Sequence, residues 1–206
     1  MSATPDTSPA FTPEPEDQAR ADLYALLAHL FYGRATQGLF DALAQADAMS
    51  ADKGSALAAA WADVQAACGV VDAQTAQQEY DDVFVGVGRA VLSIYASHYM
   101  SGQWKEEALA DLRGELARLG LSRNTGTVEP EDHLAALLEV MRHLIVGAEH
   151  GADAALQEKF FGQYLSRWYG RFCDAVLEEP KSNFYRPVTR LLRSFLDIEL
   201  ESLQAR

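Results

Sequence analysis

Glu129, Glu131, Asp132 and His133 stand together in the run EPEDH, immediately ahead of an apolar stretch with helical spacing. Three carboxylates and an imidazole so placed admit four chemistries: general acid–base catalysis, metal ligation, capping of a helix N-terminus, and contact with a basic partner. Metal ligation fits the spacing poorly. The five histidines, His29, His98, His133, His143 and His150, form neither HxxxH nor HExxH, and Cys68 and Cys173 lie far from EPEDH in sequence. On one helix His133 and His143 would point roughly 80° apart and sit roughly 15 Å apart along the axis, too far to share an ion. Asp132 and His133 are chain neighbours, and neighbouring side chains diverge on a helix. Acid–base catalysis needs a pocket and a reacting partner, and no motif supplies either. GVGRAV, residues 86–91, lacks the third glycine of a dinucleotide loop and the GK[ST] of a phosphate loop, so it reads as a tight turn. The capping chemistry is well served. Pro130 suits a first helical position, and acids near a helix N-terminus are each worth about 0.3–1 kcal/mol. His133 flanks the apolar stripe and packs there. On residue chemistry alone the cap outweighs catalysis, and contact with a basic partner stays open.

The elements that must position these residues are helices. Leu23, Leu26, Leu27, Leu30 and Phe31 form one stripe, with Gly33 as its stop. Leu39, Leu43 and Ala46 mark a second helix. Leu57, Trp61, Val64 and Cys68 mark a third, ended by Gly69, and Ala73, Ala76, Tyr80, Val83 and Phe84 a fourth. AVLSIYASHYM has strand-like content but no partner strand, so it reads as helix or loop. Ala108, Leu109, Leu112, Leu116 and Leu119 give the next helix. Polar SRNTGTV is a linker. Beyond it, Leu134, Leu137, Leu138, Met141 and Ile145 share a face. Phe160, Tyr164, Trp168 and Phe172 recur every fourth residue of one long helix. Asn183 is placed to cap a last helix carrying Val188, Leu191, Leu192, Phe195 and Leu203. About eight helices, no convincing strand and no fixed repeat predict an all-α bundle. A proline-rich leader is expected to be disordered over 1–17, and the helical domain spans 18–206, with subregions 18–121 and 129–206 joined by the linker 122–128.

The chain has 206 residues and a formal net charge of -13. That charge argues against nucleic acid and anionic membranes and favours a basic partner. Two separated cysteines without a CxxC imply a reducing compartment. The N-terminus has no signal-peptide pattern, and no stretch approaches the roughly 20 apolar residues needed to span a bilayer. A soluble cytoplasmic protein is expected.

Two signatures together resemble the TorD/DmsD/NarJ-type redox-enzyme maturation chaperones. One is an aromatic-x-x-Leu-Phe motif, here YDDVF with Tyr80, Val83 and Phe84. The other is EPxDH, here Glu129, Pro130, Asp132 and His133. Ser97 and Tyr99 in ASHYM and the late block NFYRPVTRLLRSFL extend the likeness over residues 18–203. The resemblance implies a TorD-like single-domain helical bundle, monomeric or a homodimer swapped through the linker. It implies a non-catalytic role, and with the histidine spacing above neither a cofactor nor a metal of its own is expected. Its partner would be the N-terminal leader, often of twin-arginine type, of the precursor of a molybdenum-cofactor oxidoreductase. The chaperone would hold that leader until cofactor insertion, before export or assembly. Carried over by motif, Glu129, Asp132 and His133 become leader-binding candidates, and Tyr80 and Phe84 become the adjoining apolar surface. The physics agrees, since carboxylates accept bidentate bonds from arginine and an apolar groove takes a hydrophobic segment. Val83 replaces the usual Leu, and the prolines common after the first motif are missing. That variant is similar to members serving formate dehydrogenases. Two other readings compete: a small hydrolase or nucleotide-binding enzyme using His133 with Asp132 or Glu129, and a regulatory interaction protein presenting Arg186, Arg190 and Arg193.

Overall fold

Leu27, Leu30 and Phe31 fall on one face of the first helix and are fully buried, each such burial being worth about 1.5–3 kcal/mol. Their partners are Leu134, Leu137, Leu138, Met141 and Ile145, the predicted stripe after the linker, all buried. The pairing of α1 (Pro15–Phe31) with α7 (Leu134–Val146) is the most extensive in the protein. The structure, a computed structural model, describes residues 13–33, 35–49, 55–86, 90–100, 105–122, 129–147 and 153–205. Residues 1–12 of the expected leader, Gly88, Gly102, His150 and most of the linker lie outside the described residues.

In chain order the remaining helices are α2 (Gln37–Ala44), α3 (Ala56–Cys68), α4 (Ala73–Tyr80), α5 (Ala96–Tyr99), α6 (Lys105–Arg118), α8 (Ala154–Tyr164), α9 (Tyr169–Glu178) and α10 (Tyr185–Gln204). A single π-helical turn, Asp81–Val85, follows α4 directly. α10 packs on α3 and α9, and α2 packs on α3. Helices from before and after the linker therefore interleave in one all-α bundle. Among the described residues there is no strand, only an isolated antiparallel bridge between Tyr95 and His133. None of the described helices is long and apolar enough to cross a membrane.

Several expectations need correction. Among the described residues the helices number ten rather than about eight, because α5 forms within ASHYM and the long aromatic helix is broken. The break lies between Tyr164 and Tyr169, where Ser166 N donates to Phe161 O (2.9 Å) and Trp168 Nε1 to Tyr164 O (2.7 Å). Phe160, Tyr164, Trp168 and Phe172 stay buried across it, so the apolar period continues where the helix does not. α1 begins at Pro15, with proline in the first turn where its missing N–H costs nothing, so residues 15–17 belong to the bundle rather than to the leader. Asn183 does not cap α10. The Glu79 carboxylate, at the end of α4, accepts from the backbone N–H of Asn183 (2.8 Å), Phe184 (2.9 Å) and Tyr185 (2.9 Å). A charged acceptor satisfies three otherwise orphaned donors and sits favourably at the positive end of the helix.

One buried polar cluster ties the ends of the chain together. Arg20 on α1 forks onto Glu199 on α10 (Nε to Oε1 2.7 Å, Nη2 to Oε2 2.8 Å). Its remaining donors go to Asp17 (2.7 Å) and Gln157 (3.1 Å), and the Tyr24 hydroxyl donates to Glu199 (3.0 Å).

Candidate functional site

EPEDH does not enter α7 as helix. His133 N donates to Pro130 O (3.2 Å), closing a turn, and the chain then pairs with residues 94–96: Ala96 N donates to Asp132 O (3.0 Å) and Leu134 N to Ile94 O (3.1 Å). α7 therefore starts at Leu134 rather than Pro130, and its first turn carries no acid. The cap is His133 itself. Its Nδ1 accepts from Ala135 N (3.1 Å), which puts the proton of the neutral ring on Nε2, 3.5 Å from the Tyr80 hydroxyl. The ring also meets Tyr95 edge-on at 5.3 Å and Tyr32 at 6.2 Å. His133 is 1% exposed. Burial pushes its pKa down to about 4, against the opposing pull of Glu129 and Asp132. Asp132 is 5% exposed, and its Oδ2 accepts from Ser97 N (3.0 Å) at the start of α5. These two residues knit the α5–α7 junction from inside and offer little surface to a partner.

Tyr80 and Phe84 are likewise more core than surface. Gly33 takes a φ of 71°, and a Cβ there would run into the Tyr80 ring, so glycine allows α1 to end against α4. The π turn carries Phe84 into a cluster with Tyr185 (5.2 Å), Phe172 (6.1 Å) and Phe31 (6.4 Å). Gly86, at a φ of 68°, closes that turn.

Two grooves open around these residues. The larger, ≈ 810 Å³, runs along α1 and α7 and includes Ala28, His29, Ala135, Glu139 and Arg142. The smaller, ≈ 520 Å³, is lined by the edges of Tyr80 and Phe84 together with Val85, Ile94 and Tyr95. Val85 is exposed, which gives this groove an apolar lip. Tyr32 and Glu129 line both and form their shared wall. The carboxylates of the larger groove have different partners. Glu131 accepts from Arg113 (3.0 and 3.1 Å) and Glu139 from Arg142 (2.8 Å). Glu129 accepts from the neutral Tyr95 hydroxyl, whose pKa is raised first by burial and then by that carboxylate.

Of the sequence candidates, His133, Asp132, Tyr80 and Phe84 are all buried, and Glu129 stands at the wall of both grooves. Sequence reasoning missed Tyr32 and Tyr95. Tyr95 sits in the ambiguous AVLSIYASHYM, and its pairing partner was EPEDH, not another strand. Among the described residues no group of three or more His, Cys, Asp and Glu side chains is placed to hold a metal ion.

The family model for the nitrate reductase delta subunit matches residues 50–174. A chaperone protein TorD of Aliivibrio fischeri is 30% identical over 134 residues, 61% of this chain and 62% of that protein, so the match spans less than two thirds of the relative. The TorD of Vibrio vulnificus is 26% identical over 91% of this chain and 95% of its own. Among solved structures, a candidate redox enzyme maturation protein of Archaeoglobus fulgidus superposes with a TM-score of 0.52 at 21% identity, over 93% of this chain and 99% of that one, which speaks to the fold.

Proposed function

Because the chain belongs to the TorD-type family of redox-enzyme maturation chaperones, matched through the nitrate reductase delta subunit model, we propose that it is a non-catalytic cytoplasmic chaperone for a molybdenum-cofactor oxidoreductase. It binds the N-terminal leader of the catalytic subunit's precursor and holds it until cofactor insertion. The observation that supports this reading is the pair of grooves meeting at Glu129 and Tyr32. A leader of twin-arginine type presents guanidinium groups followed by an apolar stretch. One groove is rimmed by acids and the other walled by aromatic edges, so the pair matches that order of chemistry. The net charge of -13 also favours encounter with a cationic segment.

Glu129 makes the direct contact in this reading. Asp132 and His133 serve the leader by holding the wall in place, and Tyr80 and Phe84 form the floor beside it. Calorimetry with a synthetic leader of a molybdoenzyme, a formate dehydrogenase leader first, tests this. We expect 1:1 binding that weakens as salt rises. Glu129→Gln is expected to weaken it about tenfold, the loss of one charge-assisted contact, with an unchanged melting temperature. Asp132→Ala should lower the melting temperature and the affinity together. Silence at millimolar peptide overturns the reading. The basic run on α10 does not favour a competing surface: Arg190 pairs with Asp63 (3.4 Å), Arg193 with Asp174 (2.6 Å), and Arg186 donates to Glu179 O (3.0 Å). A buried, neutral His133 ringed by tyrosines likewise lacks the access a hydrolase would need.

A further inference from the structure

We infer that Tyr95 is a positioning residue that aims Glu129 at an arginine of the bound segment, an inference that rests on the leader-binding reading. Of the carboxylates around the larger groove, Glu131 and Glu139 already face guanidinium groups of this chain, and Asp132 is turned inward onto the Ser97 amide. Glu129 is held by a phenol instead. A neutral donor fixes the carboxylate without cancelling its charge. Each carboxylate oxygen has two lone pairs, so a hydroxyl on Oε2 leaves both oxygens able to face a guanidinium fork.

Tyr95 is itself held rigidly. Its backbone is bridged to His133, its ring lies edge-on against the His133 ring, and the amides on either side of the bridge lock residues 94–96 to residues 132–134. The phenol therefore carries the position of the α7 cap out to the groove wall. Glu129 stands at the point where both grooves meet, so a charge aimed there sets the register of the bound chain: the arginine at the junction, the apolar residues along the Phe84 and Ile94 edge. Without the phenol, Glu129 would have to be ordered by the ligand, and ordering a long side chain on binding lowers affinity.

Tyr95→Phe removes one hydroxyl and keeps the ring and the bridge. The test uses the full chain and two synthetic peptides. One carries two consecutive arginines ahead of a leucine-alanine-rich stretch. Its twin has both arginines replaced by glutamine. Calorimetry of the native chain, Tyr95→Phe, Glu129→Gln and the double variant gives a coupling cycle. The expected result is a loss of about three- to tenfold for Tyr95→Phe with the arginine peptide only. The glutamine peptide should bind both proteins equally, and Tyr95→Phe should add nothing on top of Glu129→Gln. A structural role for the hydroxyl would weaken both peptides alike, and that outcome, or no loss at all, overturns the inference while leaving leader binding standing. If the native chain binds neither peptide, leader binding itself falls and the inference falls with it.

Discussion

Tyr80 Oη lies 3.5 Å from His133 Nε2, so the two recognisable motifs of this chain, 53 residues apart in sequence, meet in one buried contact. Burial keeps His133 neutral. Its Nδ1 is committed to the α7 cap, its Nε2 faces a hydroxyl, and three tyrosine rings shield it from water. A charged imidazole there would lose hydration and would compete with the cap.

Stability should therefore fall with acid in a window set by His133. The folded pKa of about 4 lies below the ordinary 6.5, so below pH 6.5 the unfolded chain binds a proton that the folded chain refuses. The contribution is fully present above about pH 6.5 and is lost as pH falls through about 4, by about 3 kcal/mol in all. Urea unfolding at pH 7.5 and pH 5 should show about 2 kcal/mol of it. His133→Asn keeps a capping side chain but does not titrate, so its stability should drop less between the two pH values. Equal drops in both proteins would mean that His133 is not the titrating group.

The helical faces were legible in the sequence because burial follows the helix period. The stripe of α7, the aromatic series from Phe160 to Phe172, and Leu27, Leu30 and Phe31 of the α1 stripe are in the core, while Leu23 and Leu26 are only partly buried at its edge. Their interruptions were not legible. The apolar spacing runs straight through the break after Tyr164, and only tertiary packing decides that Trp168 turns its indole back onto the Tyr164 carbonyl. The site shows the same division. EPEDH announced a helix start, but the amide that buries Asp132 belongs to Ser97, 35 residues away. A local motif cannot display a partner at that distance.

Glu79 offers a clean test of a cap supplied by tertiary structure. One carboxylate serves three N–H groups at the start of α10. Glu79→Ala leaves those donors to water or to nothing, and a loss of about 1–3 kcal/mol is expected from chemical denaturation. Glu79→Gln keeps one acceptor oxygen and should lose less. Asn183→Ala should cost under about 0.5 kcal/mol, since its side chain reaches only the Lys181 carbonyl (3.3 Å) and provides no cap.

Gly33 is the position where a single methyl group should disturb the groove. Its φ of 71° already disfavours any Cβ, and the added carbon would press into the Tyr80 ring. Gly33→Ala should destabilise by more than about 1 kcal/mol. It should also move Tyr80 away from His133, which a shift of the His133 ring resonances in NMR would report. A stable variant with unchanged His133 signals would show that α1 and α4 can part without cost.

The Arg20–Glu199 pair should behave as a buried charge pair whose halves depend on each other. Both side chains are almost inaccessible, and hydrogen bonds and attraction to Glu199 and Asp17 hold the Arg20 guanidinium protonated despite its burial. Glu199→Gln leaves a cation inside with only Asp17 to balance it, so a loss of about 3 kcal/mol is expected. Removing the whole cluster is a different experiment. Arg20→Met, Tyr24→Phe, Glu199→Leu removes both ions and the phenol and fills the space with apolar side chains of similar volume, leaving the buried Gln157 Oε1 as the acceptor that loses its donor. That triple variant should recover most of the loss or exceed the native stability, because desolvating two ions offsets much of what their attraction contributes. If the triple variant is as weak as Glu199→Gln alone, the cluster stabilises the fold outright, and the docking of α1 on α10 depends on charge rather than on packing.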